Sequence, residues 1–152
     1  MMTYQSNNKK PVYSATLRES VILADAVDFS VMADFEDSDD DSDLVVELID
    51  LFLNDVPQRL ELMREAEVVR NLAVLRSVAH GLKGSSASLG AGTMATLCDE
   101  VEASSGSMSS KDMKPLLTRL EQEFERVRLA FSAERFRSAG QRTSLTINSR
   151  NS

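Results

Sequence analysis

The sequence predicts an all-α protein, an antiparallel up-and-down four-helix bundle with an additional short N-terminal helix. Apolar residues recur at steps of three and four along four long segments, which is the spacing of one buried helix face. Leu, Ala, Met, Glu and Arg, which favour helices, dominate these segments. Short polar connections join the segments, so neighbouring helices are expected to run antiparallel and to bury their apolar faces against one another.

The first long helix is predicted from Asp43 to about Val69. Its apolar stripe comprises Val45, Leu48, Ile49, Phe52, Val56, Leu60 and Met63. Pro57 lies inside the stripe and removes one intrahelical hydrogen bond. Because the apolar periodicity continues on both sides of the proline, we expect a kink near Leu53, with the helix resuming beyond it.

The second long helix is predicted from Asn71 to about Leu89, with Asn71 as the N-cap and with Gly90 and Gly92 ending it. Small residues narrow its apolar seam. The seam comprises Leu72, Leu75, Ala79, Leu82, Ser86 and Leu89.

A shorter third helix is predicted from Thr93 to about Ser104, and the last helix from Asp112 to about Arg137. Their apolar positions are Met94, Leu97, Cys98, Val101, Met113, Leu117, Leu120, Phe124, Val127 and Phe131. Cys98 is the only cysteine, so it cannot form an internal disulfide, and its apolar neighbours predict a buried small hydrophobic residue.

The chain is expected to hold one domain, a bundle over residues 28–137. Residues 1–27 are interpreted as an extension that is partly disordered or holds an extra helix, and residues 138–152 as a flexible tail. A short apolar helix near the start of the domain is predicted from Phe29, Met32, Ala33 and Phe35. The acidic run at residues 37–43 is interpreted as a loop and helix N-cap, because it lacks the glycine and glutamate of a calcium-binding loop.

Charge and hydropathy exclude several classes of protein. The net charge of −7 and the absence of an obvious basic face argue against a nucleic-acid-binding protein. No apolar run is long enough to span a bilayer. The polar first ten residues lack the apolar segment of a signal peptide. We therefore expect a cytoplasmic protein that does not enter a membrane.

The one histidine of the chain, His80, directly follows Ala79 of the apolar seam in the second long helix. Around the helix axis it points about 120° away from the centre of that seam. Its imidazole is therefore expected to face solvent. Gly81 and Gly84 each cost the helix about 1 kcal/mol relative to alanine, and they leave bare backbone beside the ring. Lys83 can place an ammonium near a group bound to His80. Together these residues suit an accessible nucleophile that carries a phosphoryl group, although each alone would be interpreted as an ordinary surface residue.

The segment at residues 79–91, AHGLKGSSASLGA, resembles the signature of bacterial histidine-containing phosphotransfer (HPt) domains. That signature is histidine, any residue, leucine, lysine, glycine, and then small residues and a Gly-Ala pair. The main departure is Gly81, at a variable position that more often carries a side chain. The likeness spans roughly residues 28–136 and includes Leu44–Leu53, Pro57, Leu60, Leu97–Glu102 and Phe124.

The resemblance implies that His80 is the phosphorylated residue, that Lys83 contacts the phosphoryl group and that Gly84 keeps the path of the partner clear. It also implies a phosphoryl carrier rather than an enzyme, with no ATP site and no cofactor of its own. The expected partners are receiver domains of response regulators and a hybrid sensor histidine kinase. The acceptor aspartate and the Mg²⁺ would belong to the receiver. The docking surface is expected near His80, around Ala87 and exposed positions of the first long helix.

Other chemistries lack support in the sequence, and two alternatives stay open. No phosphate-binding GxxxxGK[ST], kinase signature or GxSxG is present, and a single histidine argues against a zinc site or a catalytic triad. One alternative is a non-catalytic helical adaptor or regulator that binds a receiver or kinase without phosphotransfer. The other is a module of a larger sensor kinase, although the initial methionine and the polar ends favour a free-standing carrier.

Overall fold

The computed structural model of the chain describes residues 26–33, 41–107 and 110–150. These residues form five helices, and the described part of the chain contains no strand. The helices are α1 (Ser30–Ala33), α2 (Asp41–Val68), α3 (Leu72–Ser88), α4 (Gly92–Ser104) and α5 (Ser110–Arg150). Helices α2–α5 are the four long helices of the bundle and α1 is the short N-terminal helix, which confirms the predicted fold class.

Two ion pairs show that α2 and α5 are antiparallel. Arg64 Nε, in the second half of α2, lies 2.6 Å from Glu121 Oε1, near the start of α5. Asp50 Oδ1, earlier in α2, lies 2.9 Å from Arg135 Nη1, which is later in α5. The residue numbers therefore rise along one helix as they fall along the other.

A single apolar core lies between the helices and confirms the stripes predicted from the sequence. Its largest fully buried side chains are Phe131, Ile49, Met63, Leu75, Leu82, Met94, Leu117 and Leu120. Full burial of one such side chain contributes roughly 1.5–3 kcal/mol. The ring of Phe131 meets Phe52 edge-on at 5.8 Å and Phe29 at 6.1 Å. Phe29 thereby attaches the segment around α1 to the α2–α5 pair.

Two of the three residues predicted to begin and end α3 are found in those roles. The amide of Val74 donates to Asn71 Oδ1 at 3.2 Å, so the predicted N-cap is confirmed. Gly90 ends the helix with a φ of +80°, while the amide of Ala91 donates to the Ser86 carbonyl at 2.8 Å. The prediction for Gly92 was wrong, because this residue begins α4 instead of ending α3.

Two further predictions concern how far the long helices extend. Helix α2 is continuous through Pro57, as predicted, and it begins at Asp41. The kink near Leu53 stays a prediction. The predicted end of the last helix at about Arg137 was wrong, since α5 continues to Arg150. Residues 138–150 lack an apolar stripe, but they contain no proline and only one glycine, so nothing in them interrupts backbone hydrogen bonding.

Several predictions fall on residues outside the described ranges. The predicted N-terminal extension, residues 1–27, lies outside these ranges except for Ala26 and Val27. These two residues are buried in the core. Phe35 and the acidic residues 37–40 also lie outside those ranges. The domain division at residues 28–137 therefore stays a prediction. In the described part of the chain, no helix has the length and apolar character needed to cross a bilayer.

Candidate functional site

The imidazole of His80 stands on the solvent side of α3. The helix buries Leu75, Ala79, Leu82 and Ser86 in the core, and His80 lies off that face. Its side chain is 68% exposed. The predicted solvent-facing orientation of the ring is therefore confirmed.

One carboxylate on α4 fixes the orientation of this ring. His80 Nδ1 lies 2.9 Å from Glu102 Oε1. An ionised carboxylate can only accept a hydrogen bond, so we assign the ring hydrogen to Nδ1. In the neutral ring, Nε2 then keeps its lone pair and is the nitrogen available to react with an incoming group.

Lys83, one turn after His80, is bound to the same carboxylate. Its Nζ donates to Glu102 Oε2 at 2.9 Å and to Asp99 Oδ1 at 3.1 Å. These hydrogen bonds, that to Glu102 first, raise the pKa of Lys83. Hydrogen bonds from Lys83 and then His80 lower the pKa of Glu102. Lys83 and Glu102 are therefore both charged at neutral pH, and Glu102 connects the imidazole to the ammonium.

The backbone beside the imidazole is open at Gly84. A Cβ placed on Gly84 would meet no atom within 4 Å. Gly81 is different, because a Cβ there would lie 2.8 Å from Arg59 Nη1, on α2. No packing reason for Gly81 is visible in the sequence, and the structure supplies one: the absent side chain leaves room for the end of Arg59.

An apolar groove of about 370 Å³ lies between α2 and α3, on the Gly81 side of the site. It is lined by Met32, Val45, Leu48, Leu51, Phe52, Asp55, Arg59, Ser85, Ser88 and Leu89. Leu51 is 66% exposed. Exposed positions of the first long helix were predicted to contribute to a docking surface; of the α2 residues that line this groove, Leu51 is exposed, and the docking role stays a prediction. Ala87 is exposed but is not part of the lining.

The cysteine is not part of the reactive surface. Cys98 is fully buried in α4, and this burial raises the pKa of its thiol to about 12. The thiol is therefore protonated at neutral pH and is a poor nucleophile. The predicted role of Cys98 as a small buried residue is confirmed.

Three charged residues at the site have no role that could be predicted from the sequence: Asp99, Glu102 and Arg59. The first two are three positions apart on α4, at the edge of its apolar stripe, so their common face was visible in the sequence. Their approach to His80 was not, because it depends on which side of α4 packs against α3. The glycine at the variable position 81 was the one signal of a close neighbour there.

A helical bundle with one exposed imidazole, a lysine one turn later and open backbone beside them has the layout of a histidine phosphotransfer module. The chain belongs to the Hpt domain family, whose sequence model matches residues 47–130. This membership supports a phosphotransfer role in two-component signalling.

Two solved structures are similar to this chain. Histidine-containing phosphotransfer protein B from Pseudomonas aeruginosa PAO1 is 32% identical, with a TM-score of 0.68 over 75% of this chain and 97% of the other. The HPT domain of a sensor hybrid histidine kinase from Shewanella shares the fold, with 23% identity and a TM-score of 0.59 over 71% of this chain and 92% of the other. Among curated proteins, none matches this sequence.

Proposed function

We propose that this protein is a phosphorelay intermediate in which His80 accepts a phosphoryl group from a receiver aspartate, or from a kinase, and passes it to another receiver aspartate. The observation that carries the proposal is the hydrogen bonding and exposure of the His80 imidazole. Its Nδ1 lies within hydrogen-bonding distance of Glu102, its Nε2 is left as the nitrogen that can carry a lone pair in the neutral ring, and the side chain is largely exposed beside the bare backbone of Gly84. The fold and the family membership support the same role.

The transfer is an in-line displacement. The Nε2 lone pair of His80 attacks the phosphorus of a phospho-aspartate, the new N–P bond forms, and the P–O bond to the aspartate breaks, so that the aspartate leaves as a carboxylate. Nδ1 keeps its hydrogen, and Glu102 faces the positive charge that develops on the ring. Lys83 meets the charge on the phosphoryl oxygens from this side. The reverse reaction hands the group to a second receiver.

The partner supplies what this chain lacks. Mg²⁺ and the acceptor aspartate come from the receiver domain, and the carrier holds neither an ATP site nor a cofactor of its own. The receiver docks over the groove between α2 and α3, which brings its aspartate to the open backbone at Gly84. A hybrid sensor histidine kinase is the proposed upstream source, and the exchange takes place in the cytoplasm.

The proposal is tested by mixing the protein with phosphorylated receivers and following an acid-labile, base-stable phosphate on the chain. We expect wild-type protein to become labelled and His80→Gln to stay unlabelled with unchanged helical circular dichroism. Lys83→Ala should be labelled more slowly, and a bulky residue at Gly84 should block labelling. A wild-type rate in His80→Gln would contradict the proposal. Tight receiver binding without label in the wild type would support the adaptor alternative instead.

A further inference from the structure

The charges around His80 leave the site poorly prepared for a phosphoryl group. The side chains of Lys83, Asp99 and Glu102 form a charged cluster beside His80. Lys83 carries the one positive charge of this cluster, and its ammonium is already bound by the carboxylates of Glu102 and Asp99. A bound phosphoryl group adds roughly −1.5 to −2 at neutral pH, as judged from other phosphorylated side chains. The phosphorylated cluster would therefore be strongly negative, and a second cation near the ring would stabilise it.

Arg59 on α2 is the cation placed to do this. Its Nε donates to Asp55, one turn earlier on the same helix. Within the described ranges, its two terminal nitrogens have no hydrogen-bonding partner, and its side chain is 38% exposed. The planar guanidinium presents these nitrogens as a fork that matches phosphoryl oxygens.

The end of Arg59 lies beside Gly81, on the side of His80 opposite to Lys83. Around α3, Gly81 lies about 100° from His80 in one direction and Lys83 about 60° in the other. Lys83 contacts α4, whereas Gly81 lies under the end of Arg59 from α2. The surface of α3 around His80 therefore has Lys83 and Glu102 on one side and the end of Arg59, over Gly81, on the other.

From this arrangement we infer that Arg59 is a second phosphoryl-binding residue of the site, and that Gly81 is the residue that admits its guanidinium. The inference rests on the proposed function of His80. It also explains why position 81 carries a glycine, where the HPt signature more often has a side chain. Any side chain there would displace the end of Arg59. That displacement is mild for the fold, since the atom that must move is the tip of a flexible side chain.

A double-mutant cycle tests the coupling between Arg59 and Gly81. We expect Arg59→Ala to slow phosphoryl transfer from a receiver to His80 by about tenfold or more, the effect of losing one charge-assisted contact. Gly81→Ala should slow it as well, because the new methyl group moves the guanidinium. The double variant should be no slower than Arg59→Ala alone. Arg128→Ala, which removes an arginine from an ion pair on α5, is the matched control and should transfer normally.

A second measurement removes the receiver and so separates contact with the phosphoryl group from contact with the partner. Phosphoramidate is used to phosphorylate His80 directly, its P–N bond breaking as ammonia leaves. The pKa of the phosphoryl group is then followed by the ³¹P chemical shift. A nearby cation favours the dianion and lowers this pKa, so we expect a higher value in Arg59→Ala and Gly81→Ala than in the wild type or Arg128→Ala. Arg59→Lys should fall between them.

An unchanged ³¹P titration in Arg59→Ala would overturn the inference, even if transfer from the receiver were slower, because the contact would then be with the partner. Additive effects in the double variant would equally overturn the role given to Gly81. These failures are distinct from failure of the proposed function, in which His80 of the wild-type protein would take no phosphate from any donor.

Discussion

At the scale of single residues, the proposed reactivity of His80 depends on one hydrogen bond. Glu102 lies 2.9 Å from Nδ1 and accepts its hydrogen, which in the neutral ring puts the lone pair on Nε2. The same carboxylate binds Lys83, so removing it would affect both the tautomer of the ring and the position of the ammonium. Asp99 binds Lys83 but not His80, which makes it a control for the second effect.

We expect Glu102→Ala to shift the neutral imidazole toward the tautomer with hydrogen on Nε2, since the partner that holds hydrogen on Nδ1 is gone. The nucleophilic nitrogen would then be blocked, and transfer should slow by about tenfold or more, the cost of a lost charge-assisted hydrogen bond. Long-range ¹H–¹⁵N spectra of the ring report the tautomer directly. Asp99→Ala should keep the wild-type tautomer; the same tautomer in Glu102→Ala would contradict this account.

The sequence predicted part of this site and could not predict the rest. The 3.6-residue period of α3 was enough to place His80 and Gly84 on the exposed surface, because those positions depend on one helix alone. Glu102 and Arg59 lie on other helices, and their approach depends on how α4 and α2 are rotated against α3. Such rotations follow from packing between helices rather than from the pattern within any one of them.

At the scale of helices, α2 and α3 end in the same way with different residues. After α2, Arg70 has a φ of +59°, and the amide of Asn71 donates to the Ala66 carbonyl at 2.8 Å. After α3, the corresponding position is Gly90. Both turns are Schellman motifs, which need a left-handed residue and favour glycine. The turn at Arg70 therefore carries a backbone strain that the turn at Gly90 avoids.

Arg70→Gly is expected to stabilise the protein by about 0.5–1 kcal/mol, because it removes the cost of a side chain in the left-handed region, offset by the greater freedom of glycine in the unfolded chain. Urea unfolding measures the change as a higher midpoint at an unchanged m value.

Gly90→Ala serves as the opposite control. Its Cβ would lie 2.2 Å from the Asp28 carbonyl oxygen, so the variant should lose about 1 kcal/mol or more. A lower midpoint for Arg70→Gly would show that Arg70 is not strained.

Most of the helical structure could be predicted because its signals are local. Asn71 caps α3, and each apolar stripe lies on the buried face of its helix. The end of α5 could not be predicted from the same signals. An apolar stripe marks where a helix packs, whereas a helix continues as long as its backbone hydrogen bonds are uninterrupted. Residues 138–150 continue the helix without an apolar stripe.

At the scale of the whole molecule, the bundle places the imidazole of His80 and the apolar groove side by side on α2 and α3. Gly81 and Arg59 lie between them, since Arg59 lines the groove and also approaches Gly81. A receiver that covers the groove is therefore brought against the same side of His80. Docking and chemistry are separable, because the groove can be altered without touching His80, Lys83 or Glu102.

Leu51→Glu is expected to weaken receiver binding by about tenfold or more, since it places a charge in an apolar contact that the partner must desolvate. Because Leu51 is 66% exposed, the free energy of unfolding should change by less than about 0.5 kcal/mol. Binding is measured by titration with a receiver, and phosphorylation by phosphoramidate should be unaffected.

The matched control for this variant is Val68→Glu, which alters a residue that is 73% exposed at the C-terminal end of α2, outside the groove. It should bind the receiver as the wild type does. Equal losses in the two variants would indicate a general effect of added negative charge and would contradict docking at the groove.

The central claim, that Nε2 of His80 accepts the phosphoryl group, is tested most directly by locating the phosphate on the ring. Because His80 is the only histidine, ¹H–¹⁵N spectra of protein without a histidine tag contain a single imidazole. After mixing with a phosphorylated receiver, we expect phosphorus on Nε2 and hydrogen still on Nδ1. An imidazole that stays unmodified while the receivers lose their phosphate to water, or phosphate on Nδ1, would contradict the claim.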